Sequence, residues 1–478
     1  MAASTAQPTP RRRPRAWLFL AAAVTIVVAG FGLDRLGVLH PSSANPSRPA
    51  TVLPSAAAPA GVLPQASLGP VSGPDGPQLQ VAGSTAALEK AIGVWTANLG
   101  RDPEDFISAQ NLALDYYTLG RLTGDIDDYA RAQAAVTQGL KAYPNDIGGR
   151  TMAALLQYTL HDFAGARTAA QAIYDADHRQ LQALATAGDS ELELGDYPAA
   201  RTTFATLETT QPGAAISARL AHLASLQGHD AEAATLATRA GKEARTEGTT
   251  GTALAYYDYL RGFLAFQAGD LTVASASYEA ALKDWPGSYL ALEGLAKVRA
   301  AQGRTADAIK LYQQAIAIVP QPEYLAGLGD LYQLSGQATL AEQQYKTVRA
   351  IAQLQALQGK VYNRQLVLFD ANHGENAAEA VSLAEGELAV RKDIYGWDVD
   401  AWALLAAGRA ADADAAMQHA LVLGTNDALL AYHAGMIAHG LGDDARAKTM
   451  LLRALALNPG FDPLQAVRAR AVLATIGG

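Results

Sequence analysis

The chain has 478 residues, with 37 Lys and Arg against 46 Asp and Glu, a net charge of −9, and no cysteine. That balance argues against nucleic acid as the main partner, because phosphate binding needs a basic footprint, and the lack of cysteine excludes disulfides, thiolate metal sites and a thiol nucleophile. Half the residues are hydrophobic, yet only 7% are aromatic and about a fifth are alanine, which favours closely packed helices over a sheet of branched and aromatic side chains.

The charge is unevenly spread. Residues 1–75 hold six Arg against two Asp, so the remainder carries −13. Residues 1–15 read as a basic N-terminus, with Arg11, Arg12, Arg13 and Arg15 just ahead of an uncharged run from Ala16 to Leu33. At 1.5 Å per residue that run spans about 27 Å, close to the hydrocarbon thickness of a bilayer. The arginines should stay on the cytoplasmic side and send the rest of the chain across. Val27-Val28-Ala29 also offers a signal-peptidase site, so a cleaved signal is the alternative to an uncleaved anchor. Residues 34–83 follow as a linker whose Pro41–Ala82 stretch holds nine prolines and only Arg48 and Asp75 as charges. Such a composition cannot bury enough surface to offset its ordering entropy, and a disordered or polyproline-like tether is expected.

From residue 84 to 478 the sequence repeats. A turn element recurs at Asp127, His161, Gly195, Gly228, Gly269, Gly303, Gly336, Gly374, Gly408 and Gly442, mostly 33 or 34 residues apart. Five residues after each turn stand Ala132, Ala166, Ala200, Ala233, Ala274, Ala308, Ala341, Glu379, Ala413 and Ala447. Pro144, Pro212, Pro286, Pro320 and Pro459 all sit seventeen residues after a turn, and seven residues before it the side chain is small in most units, as at Ala154, Gly188, Gly262, Gly329 and Gly435. The segment 287–320 shows the physical unit. Leu292, Leu295 and Val298 line one helical face, Ala308, Leu311, Tyr312 and Ala315 another, Gly303 permits the reversal and Pro320 ends the second helix. A single hairpin cannot bury its apolar stripe alone, so neighbouring units must stack. Longer spacings near Lys242–Gly251 and Gln353–Tyr362 predict extended helices or loops, and Asp462-Pro463 predicts a last helix, roughly Pro463 to Thr475, over the exposed end.

The hairpin of 34 residues, the alanine column, turns such as Gly195-Asp196-Tyr197, the aromatic four residues after the alanine (Phe204, Tyr278, Tyr312, Tyr345) and the closing proline resemble the tetratricopeptide repeat. The resemblance covers roughly residues 102–460. It implies an all-α fold, a right-handed α-solenoid of about ten hairpins, here behind one N-terminal transmembrane helix and a disordered linker, as in membrane-anchored extracytoplasmic proteins of bacteria. It further implies a protein-interaction scaffold that binds a peptide or envelope protein on the concave face of its first helices, or else an accessory subunit of an envelope, secretion or enzyme complex. The expected setting is the inner or cytoplasmic membrane with the solenoid outside the cytoplasm, or the periplasm after signal cleavage.

Carried over unit by unit, the concave face would present Tyr256, Tyr259, Phe263 and Phe266, spaced 3, 4 and 3 along one helix. An aromatic stripe at that spacing is more often core, buried against a neighbouring helix, than a platform for a partner's apolar or proline-rich segment. Asp189, Glu193, His222, Glu293, Lys297, Asp330 and Gln333 would form a mostly acidic rim, and Trp402, Tyr432, Met436 and His439 a second patch. No catalytic, cofactor or metal constellation emerges. His433 and His439 are six apart instead of four, Gly440-Leu441-Gly442 is a repeat turn, and no phosphate loop or Gly-x-Ser-x-Gly elbow occurs. The expected partner is therefore a protein or peptide, with the membrane contacted through the N-terminal helix, and neither nucleic acid nor a small-molecule substrate is indicated.

Overall fold

The computed structural model describes residues 84–357 and 364–477. The apolar run 16–33 and the proline-rich linker lie outside the described residues. Within them every regular element is a helix, and no helix is long and apolar enough to cross a membrane.

The repeats become antiparallel hairpins. We number the first helix α1 (Ser84–Arg101); it packs Trp95 and Leu99 on the first hairpin. Ten hairpins follow, from α2 (Phe106–Thr123) with α3 (Ile126–Ala142) to α20 (Ala428–Gly440) with α21 (Asp444–Leu457), and α22 (Gln465–Ile476) covers the last one, as the sequence predicts. Local chemistry sets the boundaries. Asp105, Asp125, Asp146, Asp162, Asp196, Asp270, Asp393, Asp427 and Asp443 each accept a backbone N–H of the helix they cap. The five periodic prolines each stand two residues past the end of a second helix, for example Pro212 after α7 (Tyr197–Thr210) and Pro320 after α13 (Thr305–Ile318).

Two register assignments need correction. The first turn is made by Gly124, at φ 73°, and Asp127 lies inside α3, which starts almost one turn earlier than its counterparts. In the eighth unit the buried alanine is Ala380, not Glu379, because Asn376 (φ 43°) follows Gly374 (φ 68°) after one extra residue. His161 does occupy a glycine position, at φ 66°. The first long spacing is taken up by helix extension, α9 (Asp230–Thr246) and α10 (Gly251–Gln267) having 17 residues each; at the second, α15 (Ala338–Leu357) has 20, and the rest of that spacing lies outside the described residues.

The small-residue columns follow from ring packing. Tyr278 on α11 (Leu271–Asp284) is wedged between Gly262 on α10 and Gly294 on α12 (Tyr289–Ala301). A methyl group at Gly262 would lie 2.8 Å from Tyr278 Cδ1, and one at Gly294 would overlap the ring from the other side. Gly294→Ala should therefore destabilise by about 1–3 kcal/mol even though alanine is the better helix former. Gly93→Ala on α1, where nothing lies within 4 Å, should instead stabilise by up to about 1 kcal/mol. Paired urea titrations of the two variants check both signs.

Stacking carries the chain round on itself. Turns of the first, third, fourth and fifth units rest on the ends of second helices five units later. A methyl group at Gly124 would lie 2.9 Å from Val319 Cγ1, at Gly195 2.5 Å from the Lys392 carbonyl and at Gly228 2.7 Å from the Gly424 carbonyl, and at Gly269 it would overlap the Leu457 carbonyl. The later turn glycines Gly303, Gly336, Gly374, Gly408 and Gly442 have no such neighbour. Hydrogen bonds close the same seam. Lys392 N donates to Glu193 O (2.9 Å), Ile394 N to Tyr197 Oη (2.8 Å), Asn426 Nδ2 to Gly228 O (3.1 Å) and Asn458 Nδ2 to Phe266 O (2.8 Å). One apolar cluster consequently joins Leu184, Ile216 and Leu223 of the first layer to Ile394, Leu404 and Leu430 of the second. First helices are sandwiched: all thirteen residues of α6 (Leu181–Glu193) are buried.

Candidate functional site

Because the layers close, most of the surface expected to be concave becomes interior. Asp189 is fully buried and binds Arg219 through two parallel bonds, Nε to Oδ1 at 2.9 Å and Nη2 to Oδ2 at 2.8 Å. Glu193 is buried against Arg391 of the other layer, Nε to Oε2 at 2.6 Å. Asp330 on α14 (Pro322–Leu334) accepts from Tyr345 Oη (2.8 Å) and lies 3.0 Å from His373 Nε2. These groups tie elements together and do not form an open acidic rim. His222 is buried as well.

The C-terminal patch is core as well, packed within the second layer and under α22. Trp402 stacks on buried His433 at 4.1 Å between ring centroids and donates from Nε1 to Asn372 (2.8 Å). Tyr432 is fully enclosed, Met436 packs on the same cluster under α22, and His439 faces outward to Asp444. Tyr256 is also core, packed with Tyr257 and Leu260.

The rest of the aromatic stripe has another fate. Tyr259, Phe263 and Phe266 wall a cavity of about 160 Å³ between the layers. The Tyr259 and Phe263 rings lie 6.3 Å apart in a stacked arrangement. Glu293 and Lys297 on α12 and Glu323 and Tyr324 on α14 supply its polar side, while Asp427, Asn458 and Phe461 reach it from the second layer. The periodic 3, 4, 3 spacing thus gives three wall residues and one core residue, since Tyr256 points to the neighbouring helix.

The polar side is unbalanced. Lys297 Nζ is 2.5 Å from Glu293, so that ammonium is already paired. Asp427 accepts from the N–H groups of Leu429 and Leu430 and from Gln267 Nε2 at 3.0 Å. Burial pushes the Glu323 carboxyl up to about 7, helped by Glu293 and opposed by a backbone hydrogen bond and Lys297. Asp427 is also raised, first by burial. Among the described residues no group of His, Cys, Asp and Glu is arranged to hold a metal ion.

Glu323 predicts a pH dependence. Its folded pKa stands above the unfolded value of about 4.3, so the folded state binds the proton more tightly and stability falls as pH rises from about 4.5 through 7. Glu323→Gln removes that loss. The variant should exceed the parent by about 2–4 kcal/mol at pH 8 and match it near pH 4, measured by denaturant titration.

Sequence reasoning missed Glu323, Tyr324, Gln267, Asp427 and Phe461. Pro322 at the start of α14 marks a helix N-terminus and so places Glu323 in a first turn, but which layer faces it depends on the five-unit offset.

The tetratricopeptide-repeat family models match residues 151–215, 259–323 and 429–461. Among solved structures, the chain is similar to a tetratricopeptide repeat protein from Parabacteroides merdae, with 17% identity over 54% of this chain and 93% of that one and a TM-score of 0.40. It is also similar to PilW, a type IV pilus biogenesis factor, with 20% identity over 46% and 97% of the two chains and a TM-score of 0.37. Human IFIT1, in a dimer with PPP-AAAA, gives 15% identity over 78% and 87% and a TM-score of 0.42. No curated protein matches the chain.

Proposed function

We propose, taking as premise that the chain belongs to the tetratricopeptide-repeat family, that it is a non-enzymatic scaffold holding a segment of a partner protein in the cavity between its layers. The observation that carries this reading is the aromatic wall of Tyr259, Phe263 and Phe266, which the closed solenoid leaves lining a cavity instead of filling it. Aromatic anchors in a largely desolvated pocket are the side chains that dominate protein recognition. Residues 16–33 serve as the anchor and residues 34–83 as a tether on the far side of the membrane, where a solenoid on a long spacer can reach envelope proteins.

Affinity capture from detergent-solubilised membranes tests the scaffold. The Tyr259→Ala, Phe263→Ala double variant, shown by circular dichroism to stay helical, should lose the protein that the parent retains. Equal recovery by both would remove the cavity from the mechanism. A C-terminal alkaline phosphatase fusion, active only when exported, should be active; an inactive fusion would contradict the proposed orientation.

A further inference from the structure

Two polar atoms at this cavity are buried and have no hydrogen-bond partner among the described residues: Glu323 Oε2 and Tyr324 Oη. Tyr324 is 1% exposed. Leaving such groups unsatisfied is destabilising, and a ligand donor would remove that cost. We infer that the cavity receives the side chain of a lysine or arginine from the partner segment, with its apolar stem against the α10 aromatics and its charged head on Glu323 and Tyr324. This rests on the scaffold reading and names the chemistry of what the scaffold holds.

Charge selects a cation. Glu293 is matched by Lys297 at 2.5 Å, which leaves Glu323 and Asp427 as carboxyl groups on the lining without a cationic partner of their own. An incoming carboxylate would meet those two groups and find the only lining ammonium already engaged. The walls act in the same direction, because the faces of Tyr259 and Phe263 attract an ammonium or guanidinium, most strongly where water is excluded. Size is consistent. About 160 Å³ is too small for a helix, whose cross-section with side chains spans about 10 Å, and suits one long side chain whose stem buries methylenes while its head stays polar.

The test pans the full chain against a random twelve-residue peptide library displayed on phage, then measures affinities of enriched peptides by fluorescence anisotropy. One peptide position should be Lys or Arg throughout, and norleucine there should weaken binding by at least about tenfold. Glu323→Gln should weaken the basic peptide similarly and leave the norleucine peptide unchanged, which shows that the two groups meet. Enriched peptides with no basic position, lost on Tyr259→Ala with Phe263→Ala but indifferent to Glu323→Gln, would overturn the cationic assignment and leave the scaffold standing. Failure to enrich any peptide beyond the double-variant control would overturn both.

Discussion

Replacing Arg391 by alanine should cost about 3–5 kcal/mol of unfolding free energy, because it strands Glu193 as an unpaired buried charge. Both side chains are 4% exposed, and the guanidinium reaches Glu193 Oε2 through Nε at 2.6 Å and Nη2 at 2.5 Å. It also lies over the Phe163 ring at 5.5 Å, so alanine removes packing as well as charge. The partners are 198 residues apart in sequence and belong to different layers. The loss should therefore appear as more than a lower midpoint. A repeat array whose layers are uncoupled unfolds in parts, so the single urea transition expected of the parent should split in Arg391→Ala. Changing both partners to methionine should restore most of the stability, since a buried pair replaced by well-packed apolar groups is often neutral.

Arg219→Ala should cost a similar amount, about 3–5 kcal/mol, with a different signature. Arg219 is 3% exposed and Asp189 fully buried, and the bond is bidentate, which gives geometric specificity as well as strength. Arg219→Lys should recover little, because an ammonium cannot reproduce two parallel N–H bonds. This pair joins α6 to α8 (Ala214–Leu226), adjacent units of one layer. The seam at Lys392, Gly424 and Leu457 is untouched, so unfolding should stay a single transition at a lower denaturant midpoint. Equilibrium unfolding followed by circular dichroism and by tyrosine fluorescence distinguishes the two variants: the probes should coincide for Arg219→Ala and diverge for Arg391→Ala.

What could be read from the residues follows the same division. Hairpin structure is local, and local chemistry is written in single positions. Ala166, Ala200, Ala274 and Ala308 are fully buried where helices pack, and Pro144 and Pro459 stand two residues past the helices they follow. Register is least legible where local signals compete. At the first turn Asp127 follows the cap, Asp125, by two residues and carries the same side chain. In the eighth unit Asn376, in a left-handed conformation, lengthens the turn and moves the alanine column from Glu379 to Ala380.

The site was harder to see because it depends on curvature. How many units complete one superhelical turn is the sum of small rotations between neighbours, and no single residue announces it. The five-unit offset turns Glu193 and Asp189 from rim to interior and brings Asp427 and Phe461 to face Tyr259. It also gives Gly195, Gly228 and Gly269 a second duty, close approach to another backbone, beyond the positive φ that every such turn requires. Buried carboxyls such as Glu323 are then a consequence of closure.

The closure itself can be measured directly. Arg201 on α7 and Val422 after α19 (Ala410–Ala420) line the same surface depression where the layers meet, and the sequence contains no cysteine to interfere with labelling. Spin labels on Arg201→Cys and Val422→Cys, read by double electron–electron resonance, should give one short, narrow distance. That distance should lengthen and broaden when Arg391→Ala is added. A long, broad distribution in the otherwise unaltered protein would mean an open solenoid without the cavity between its layers, and would contradict the account.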